Sequence, residues 1–200
     1  GYTEIPKDVM RGYMLMAAEA FDAMAAPPTH IAVQGGVGGV AAAVLAVAWQ
    51  RWGADRPRFL VVEPERAACI VESVKAGART AVDGELDTLM AGLACGEVSL
   101  LAWEILRAGV DDALAIDDAA AVAVMRLLAL PEAGDPAIVA GESATCGLAG
   151  VLAAAERPEL AAALGLDRTS RVLVFGTEGA TDPALYAELV GRPAEEIVTP

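Results

Sequence analysis

The stretch Thr29-His30-Ile31-Ala32-Val33-Gln34-Gly35-Gly36-Val37-Gly38-Gly39-Val40 constrains the fold more than any other. It reads as a buried strand, a glycine-rich turn and the start of an Ala-rich helix. Such a turn leaves backbone N–H groups at a helix N-terminus, the positive end of the helix dipole, where a phosphate binds readily. The turn contains no lysine and no Gly-Lys-Ser/Thr ending, so it is not a nucleoside-triphosphate P-loop. A phosphate held here is held mainly by backbone dipoles. That points to a cofactor with a phosphate handle rather than to phosphoryl transfer.

The remaining pattern alternates. Lys7 to Ala26 is expected to be an amphipathic helix, with Met10, Tyr13, Met14, Ala17, Phe21 and Met24 at helical spacing and packed in the core. Pro27-Pro28 stops it. Thr29–Gln34 and Arg58–Glu63 read as strands, with Gly39–Trp52 and Glu65–Lys75 as the helices that follow. Gly77–Glu85 reads as a loop, and helical patterns resume at Leu86–Leu93 and Leu100–Ala108. Ala113–Ile116 is a third strand, with Asp117 the N-cap of a helix to Leu130. After a loop at Pro131–Pro136, Ser143 or Thr145 caps a helix to Arg157. Arg171–Phe175 is the last strand and Pro183–Val190 the last helix; the tail from Gly191 to Pro200 has little pattern. This order predicts an α/β fold, a mostly parallel sheet flanked by helices, as one unit over residues 1–200. Ligands in such sheets bind beyond the carboxyl ends of the strands. Three turns fall there: Gly35–Gly39, Glu63–Glu65 and Gly176–Asp182. They ring one pocket if their strands are neighbours.

Composition excludes several classes. Apolar residues make up 56% of the chain, enough for a large core, yet no apolar run is long enough to span a membrane. A formal net charge of −14 argues against nucleic acid and against an anionic membrane as partner. The start shows no signal-peptide pattern. Cys69, Cys95 and Cys146 are far apart and His30 is the only histidine. The chain is therefore expected to hold no metal and no disulfide framework, and to reside in the cytoplasm. The cysteines are expected to be small core residues, and His30 structural.

The glycine turn supports two ligands. Gly36-x-Gly38-x-x-Ala41 fits a dinucleotide fingerprint, with Glu63 at the end of the next strand as the acid for a ribose hydroxyl. It equally fits a phosphate cup for pyridoxal 5'-phosphate. The turn alone leaves both open. Gly141-Glu142-Ser143-Ala144-Thr145 is a second small, polar turn opening a helix, and Thr177-Glu178-Gly179 is a third. A hydroxyl in the last could meet a heterocyclic nitrogen.

In sequence order, the segments Gly1-Tyr2-Thr3-Glu4-Ile5-Pro6, Gln34-Gly35-Gly36-Val37-Gly38, Val62-Glu63-Pro64-Glu65, Met90-Ala91-Gly92-Leu93-Ala94-Cys95-Gly96-Glu97, Trp103-Glu104-Ile105-Leu106, Gly141-Glu142-Ser143 and Thr177-Glu178-Gly179 run through the chain. Together they resemble the C-terminal half of the diaminopropionate ammonia-lyase family, pyridoxal-phosphate enzymes of the tryptophan-synthase-β fold (fold type II). The run from Met90 to Glu97 is specific to that lyase among its relatives and decides against the dinucleotide.

The resemblance implies a small-molecule amino-acid substrate, 2,3-diaminopropionate, converted by α,β-elimination to pyruvate and ammonia. It implies that Gly36, Val37, Gly38 and Gly39 cup the phosphate, that Glu142 and Ser143 line the pocket beside the ring, and that Thr177 lies near the pyridine nitrogen. A carboxylate introduced at Gly38 is then expected to face the phosphate. It also implies a homodimer of the full-length enzyme. The only lysines are Lys7 and Lys75, and neither lies in the family's Ser-Phe-Lys type of motif. The Schiff-base lysine and the acid/base aspartates are expected upstream of Gly1, so the chain alone is expected to be inactive. Gly176 stands where some relatives carry a serine. A threonine- or serine-dehydratase-like lyase, or a non-catalytic half-enzyme acting as a binding module, are the other readings.

Overall fold

The computed structural model describes residues 4–131 and 135–197. Gly1–Thr3 of the opening motif, the middle of the Pro131–Pro136 loop and the last residues of the tail fall outside that range. Four strands, β1 (His30–Gln34), β2 (Arg58–Pro64), β3 (Asp112–Ile116) and β4 (Val172–Val174), form one sheet in the order β3-β2-β1-β4. Every pairing is parallel, with Ala32 opposite both Leu60 and Val174. The strands lack polar alternation because both faces are covered, as parallel sheets require.

The helices are α1 (Glu4–Ala23), α2 (Gly39–Trp52), α3 (Cys69–Ala76), α4 (Leu100–Gly109), α5 (Asp118–Ala129), α6 (Glu142–Ala155), α7 (Pro158–Leu164) and α8 (Pro183–Val190). On one face Ile31, Val33, Phe59 and Val61 pack into a cluster with Val44 and Leu45 of α2 and Leu106 of α4. Ala17 and Phe21 of α1 close that cluster from outside, and Tyr13, Met14 and Met24 pack against it, so the methionine stripe is core packing. On the other face Leu60 and Ala32 meet Val151 and Ala154 of α6, and Val62 meets Cys146 and Ala149. No described helix is long and apolar enough to cross a membrane.

Several expectations are corrected. The first helix runs over Glu4–Ala23, not Lys7–Ala26. Glu65–Ala67 is a separate 3-10 turn before α3. Leu86–Leu93 is not a helix: only Ala91–Leu93 makes a 3-10 turn. The segment is held instead by the Asp118 carboxylate, which accepts from Thr88 Oγ1 at 2.5 Å and from Leu89 N at 3.0 Å, while Met90 is fully buried. Neither Ser143 nor Thr145 caps α6; Gly141 holds the N-cap position and both hydroxyls bond elsewhere. Asp117 does cap α5, accepting from Ala120 N at 2.8 Å. The last strand is shorter than Arg171–Phe175, and the Ala-rich helix α7 is an element beyond those expected.

Candidate functional site

The chain builds β1, β2 and β3 outward in one direction and then returns to place β4 on the far side of β1. The sheet order therefore reverses between β1 and β4, and the turns leaving their carboxyl ends splay apart to open a crevice. A cavity of about 850 Å³ lies there, within the range of small-molecule sites. Its floor is Gln34, Gly35, Gly36, Val37 and Gly39 after β1, with Thr177 and Glu178 after β4. Ser143 of α6 and Gly92, Leu93 and Cys95 of the long 77–99 connection close the sides. Met10, Tyr13 and Leu101 supply an apolar wall.

Of the residues expected at the site, Gly36, Val37, Gly39, Ser143 and Thr177 line this cavity and Gly38 and Glu142 do not. Gly38 has φ +87°, and a Cβ there would lie 2.8 Å from Leu106 Cδ1 and 3.2 Å from Ala102 Cβ. A side chain at 38 thus points into the α2–α4 packing, away from any ligand. Glu142 is buried in the first turn of α6, and its carbonyl accepts from Thr145 Oγ1. Two carboxylates border the cavity, Glu97 and Glu178; the second, which sequence reasoning does not single out, is the one that reaches α6. Glu178 Oε2 accepts from Ser143 N at 2.8 Å, capping α6 from the neighbouring loop. Ser143 Oγ accepts from Gly92 N at 3.1 Å and so pins the 77–99 connection to α6.

The start of α2 leaves backbone N–H groups open toward the cavity. Its N-cap is Gly38, with no side-chain cap, unlike α5 and α8, which aspartates cap; α4 also starts uncapped beside the cavity, but its first residues are Leu100 and Leu101 rather than a glycine turn. Ala42 N, bonded to Gly38 O, is the first N–H of the helix with a carbonyl behind it. The N–H groups of Gly39, Val40 and Ala41 precede it, and Gly39 and Val40 line the cavity.

The Glu63–Glu65 turn does not join the ring. Glu63 is fully buried beneath the glycine turn, packed so close that a Cβ on Gly35 would lie 2.3 Å from its Cγ. Its Oε2 accepts from Val71 N at 2.8 Å at the start of α3, so the acid a dinucleotide ribose would need is already engaged. Burial pushes the carboxyl up to about 7, against the N–H groups of Val71 and Ile70 and the Cys69 thiol, which favour the charged form. The unfolded chain releases this proton near the ordinary 4.5, the folded chain near 7, so the folded state binds more protons in between. Stability is therefore expected to fall as pH rises through that window and to be level on either side. At 1.36 kcal/mol per pKa step the loss is roughly 3 kcal/mol. Glu63→Gln removes it; urea denaturation at about pH 4 and about pH 8 reads the difference between the two proteins.

Cys69 and Cys146 are buried, but Cys95 is only partly so and faces the cavity, a correction to its reading as a core residue. His30 is structural: Nδ1 meets Thr29 Oγ1 and Nε2 meets the Leu164 carbonyl. Lys7 and Lys75 pair with Glu4 and Glu72 on exposed helix faces, and neither lines the cavity. A second groove, about 540 Å³, lies at the opposite end of the sheet around Trp49, Arg56 and Asp111. There Arg56 and Asp111 pair at 2.6 Å and neutralise each other.

A parallel sheet with an uncapped helix start and a hydroxyl-bearing turn at its switch point defines an α/β protein built around a phosphate-bearing ligand. The model of the pyridoxal-phosphate-dependent enzyme family matches residues 3–177, and the chain belongs to that family. It is 41% identical over 197 residues to diaminopropionate ammonia-lyase of Escherichia coli K12, covering 95% of this chain and 49% of the relative. The Salmonella typhimurium LT2 lyase is 37% identical over 206 residues, covering 97% and 51%. The chain spans about half the length of the curated relatives it matches. The solved holo diaminopropionate ammonia lyase of E. coli superposes with a TM-score of 0.86 at 40% identity, covering 95% of this chain and 49% of that one. A solved threonine deaminase from T.th. shares the fold, with a TM-score of 0.71 at 23% identity over 88% of this chain and 59% of that one.

Proposed function

We propose that the chain is the C-terminal, cofactor-holding half of a diaminopropionate ammonia-lyase, which converts 2,3-diaminopropionate and water to pyruvate and ammonia. One observation carries the reading: the uncapped first turn of α2 and the Thr177 hydroxyl open into the same cavity at the switch point of the sheet. The residues fit pyridoxal 5'-phosphate. N–H groups at one end suit a phosphate, apolar walls suit a ring, and the floor carries a buried oxygen, Gln34 Oε1, with no partner among the described residues. When bound, the cofactor supplies the electron sink for the elimination.

In this reading the backbone N–H groups of Gly36, Val37 and Gly39 hold the phosphate, and Gly38 shapes the turn without touching it. Thr177 meets the pyridine nitrogen. Ser143 lies beside the ring, and Leu93, Met10 and Tyr13 keep water from it. The Schiff-base lysine and the groups that move the α-proton come from polypeptide other than these residues. That polypeptide would cover the apolar rim at Ile5, Val9 and Leu100, which are 61%, 50% and 64% exposed here. The enzyme is read as a cytoplasmic homodimer with no nucleic-acid or membrane partner.

The chain alone, given diaminopropionate and pyridoxal phosphate, is expected to form no pyruvate above a protein-free blank. Joined to its lysine-bearing half it should turn over diaminopropionate in preference to serine. Turnover by the chain alone would mean that Lys7 or Lys75 forms the Schiff base. Preference for serine would favour a dehydratase.

A further inference from the structure

We infer that Gln34 is a positioning residue: it fixes the Thr177 hydroxyl as a hydrogen-bond donor to the ring nitrogen of the cofactor and thereby keeps that nitrogen unprotonated. The inference rests on the function proposed above and names a residue and a role beyond it.

Gln34 ends β1, is 4% exposed and forms part of the cavity floor. Its Nε2 donates to the Phe175 carbonyl at 2.9 Å and to Thr177 Oγ1 at 2.8 Å. A carbonyl oxygen only accepts, so the amide nitrogen has to be the atom facing Phe175, and the orientation of the amide is fixed by chemistry. Both Nε2 hydrogens are then spent, one on the backbone of β4 and one on Thr177. Thr177 Oγ1 is an acceptor in that bond, and it makes no other hydrogen bond among the described residues. Its own hydrogen is therefore left for what occupies the cavity it lines. A hydroxyl that already accepts from an amide is polarised and donates more strongly.

The other end of the amide supports the same reading. Gln34 Oε1 is buried with no partner among the described residues. A side chain that only filled the wall would carry no such oxygen, because an unpaired buried acceptor is costly. Gln34 bears that cost while its two N–H groups hold the end of β4 and aim Thr177.

The consequence is a protonation state. Nitrogen that accepts from Thr177 stays neutral. In Gln34→Glu the side chain, once ionised, offers no hydrogen, so the Thr177 O–H turns to donate to the new carboxylate and presents lone pairs to the ring; the spectrum is therefore read at alkaline pH. Thr177 Oγ1 would then accept from a protonated ring nitrogen, the proton coming from solvent. In Gln34→Met the volume is kept and both N–H bonds are lost without added charge.

The experiment uses the holoenzyme containing this chain, loaded with pyridoxal 5'-phosphate labelled with 15N in the ring, and reads the ring-nitrogen shift. The wild type should resonate in the unprotonated, hydrogen-bonded pyridine range. Gln34→Glu should move to the pyridinium range and Gln34→Met part of the way, with cofactor retained in each. A merely structural Gln34 would alter stability without moving this signal. An unmoved shift in Gln34→Met, cofactor still bound, overturns the inference even where Gln34→Glu does not fold. A wild type that takes up no cofactor overturns the proposed function, and the inference with it.

Discussion

Gly38→Asp is expected not to accumulate as a folded protein. At φ +87° a residue with a Cβ costs about 1–2 kcal/mol. The new Cβ would crowd Leu106 and Ala102 of α4, and overpacking of this kind costs about 1–3 kcal/mol. The carboxylate would follow a Cβ whose nearest neighbours are Leu106, Ala102 and Ile70, and an unpaired charge buried in such apolar packing costs several kcal/mol more. Together these approach the ~5–15 kcal/mol that keeps a domain folded. Any loss of cofactor in this variant follows from lost packing, and the expectation that its carboxylate faces the phosphate is corrected. Thermal unfolding followed by circular dichroism checks it; a normal transition would contradict the packing of α2 on α4.

Gly39→Asp should behave in the opposite way, folding normally and losing the cofactor. Nothing lies within 4 Å of a Cβ built on Gly39, and its φ is not in the left-handed region. An acidic residue in the first turn also suits the helix dipole. Yet Gly39 borders the cavity, so the new carboxylate would share the anion site. Two like charges about 4 Å apart at an effective dielectric near 20 repel by roughly 4 kcal/mol. Pyridoxal-phosphate affinity should fall by at least about a hundredfold, since each 1.4 kcal/mol is tenfold. Fluorescence titration measures this, with Gly39→Ala as a neutral control that binds nearly normally. Equal affinity in Gly39→Asp would remove the phosphate from this turn.

The two glycines show how much of the site could be read before the structure. The strand, turn and helix from Thr29 to Trp52 are legible because each is a local pattern: an apolar run, glycines, then alanines. The Asp117 cap is legible for the same reason, its acceptor and donor lying three residues apart. Which glycine faces the ligand is not legible, because the direction of an absent Cβ depends on α4, more than sixty residues further on. Leu86–Leu93 has a helical pattern, but the Asp118 carboxylate takes its Thr88 hydroxyl and Leu89 amide from outside the segment. Glu142 and Glu178 both lie in polar turns, and only the β4–α8 loop folding onto α6 shows which of them meets Ser143. Gln34 leaves a signal in the sequence, a polar residue closing the apolar run Ile31–Val33, but its partners Phe175 and Thr177 are set by the pairing of β1 with β4.

In the proposed enzyme, backbone N–H groups between β1 and α2 hold the phosphate of the cofactor. Amide resonances of 15N-labelled protein, followed as pyridoxal 5'-phosphate is added, report on those groups one by one. Saturable displacement of Gly36, Val37, Gly39 and Val40, reversed by inorganic phosphate and absent with unphosphorylated pyridoxal, is the predicted result. Displacement confined to the groove at Trp49, Arg56 and Asp111, or bound cofactor with those four amides unmoved, would contradict it.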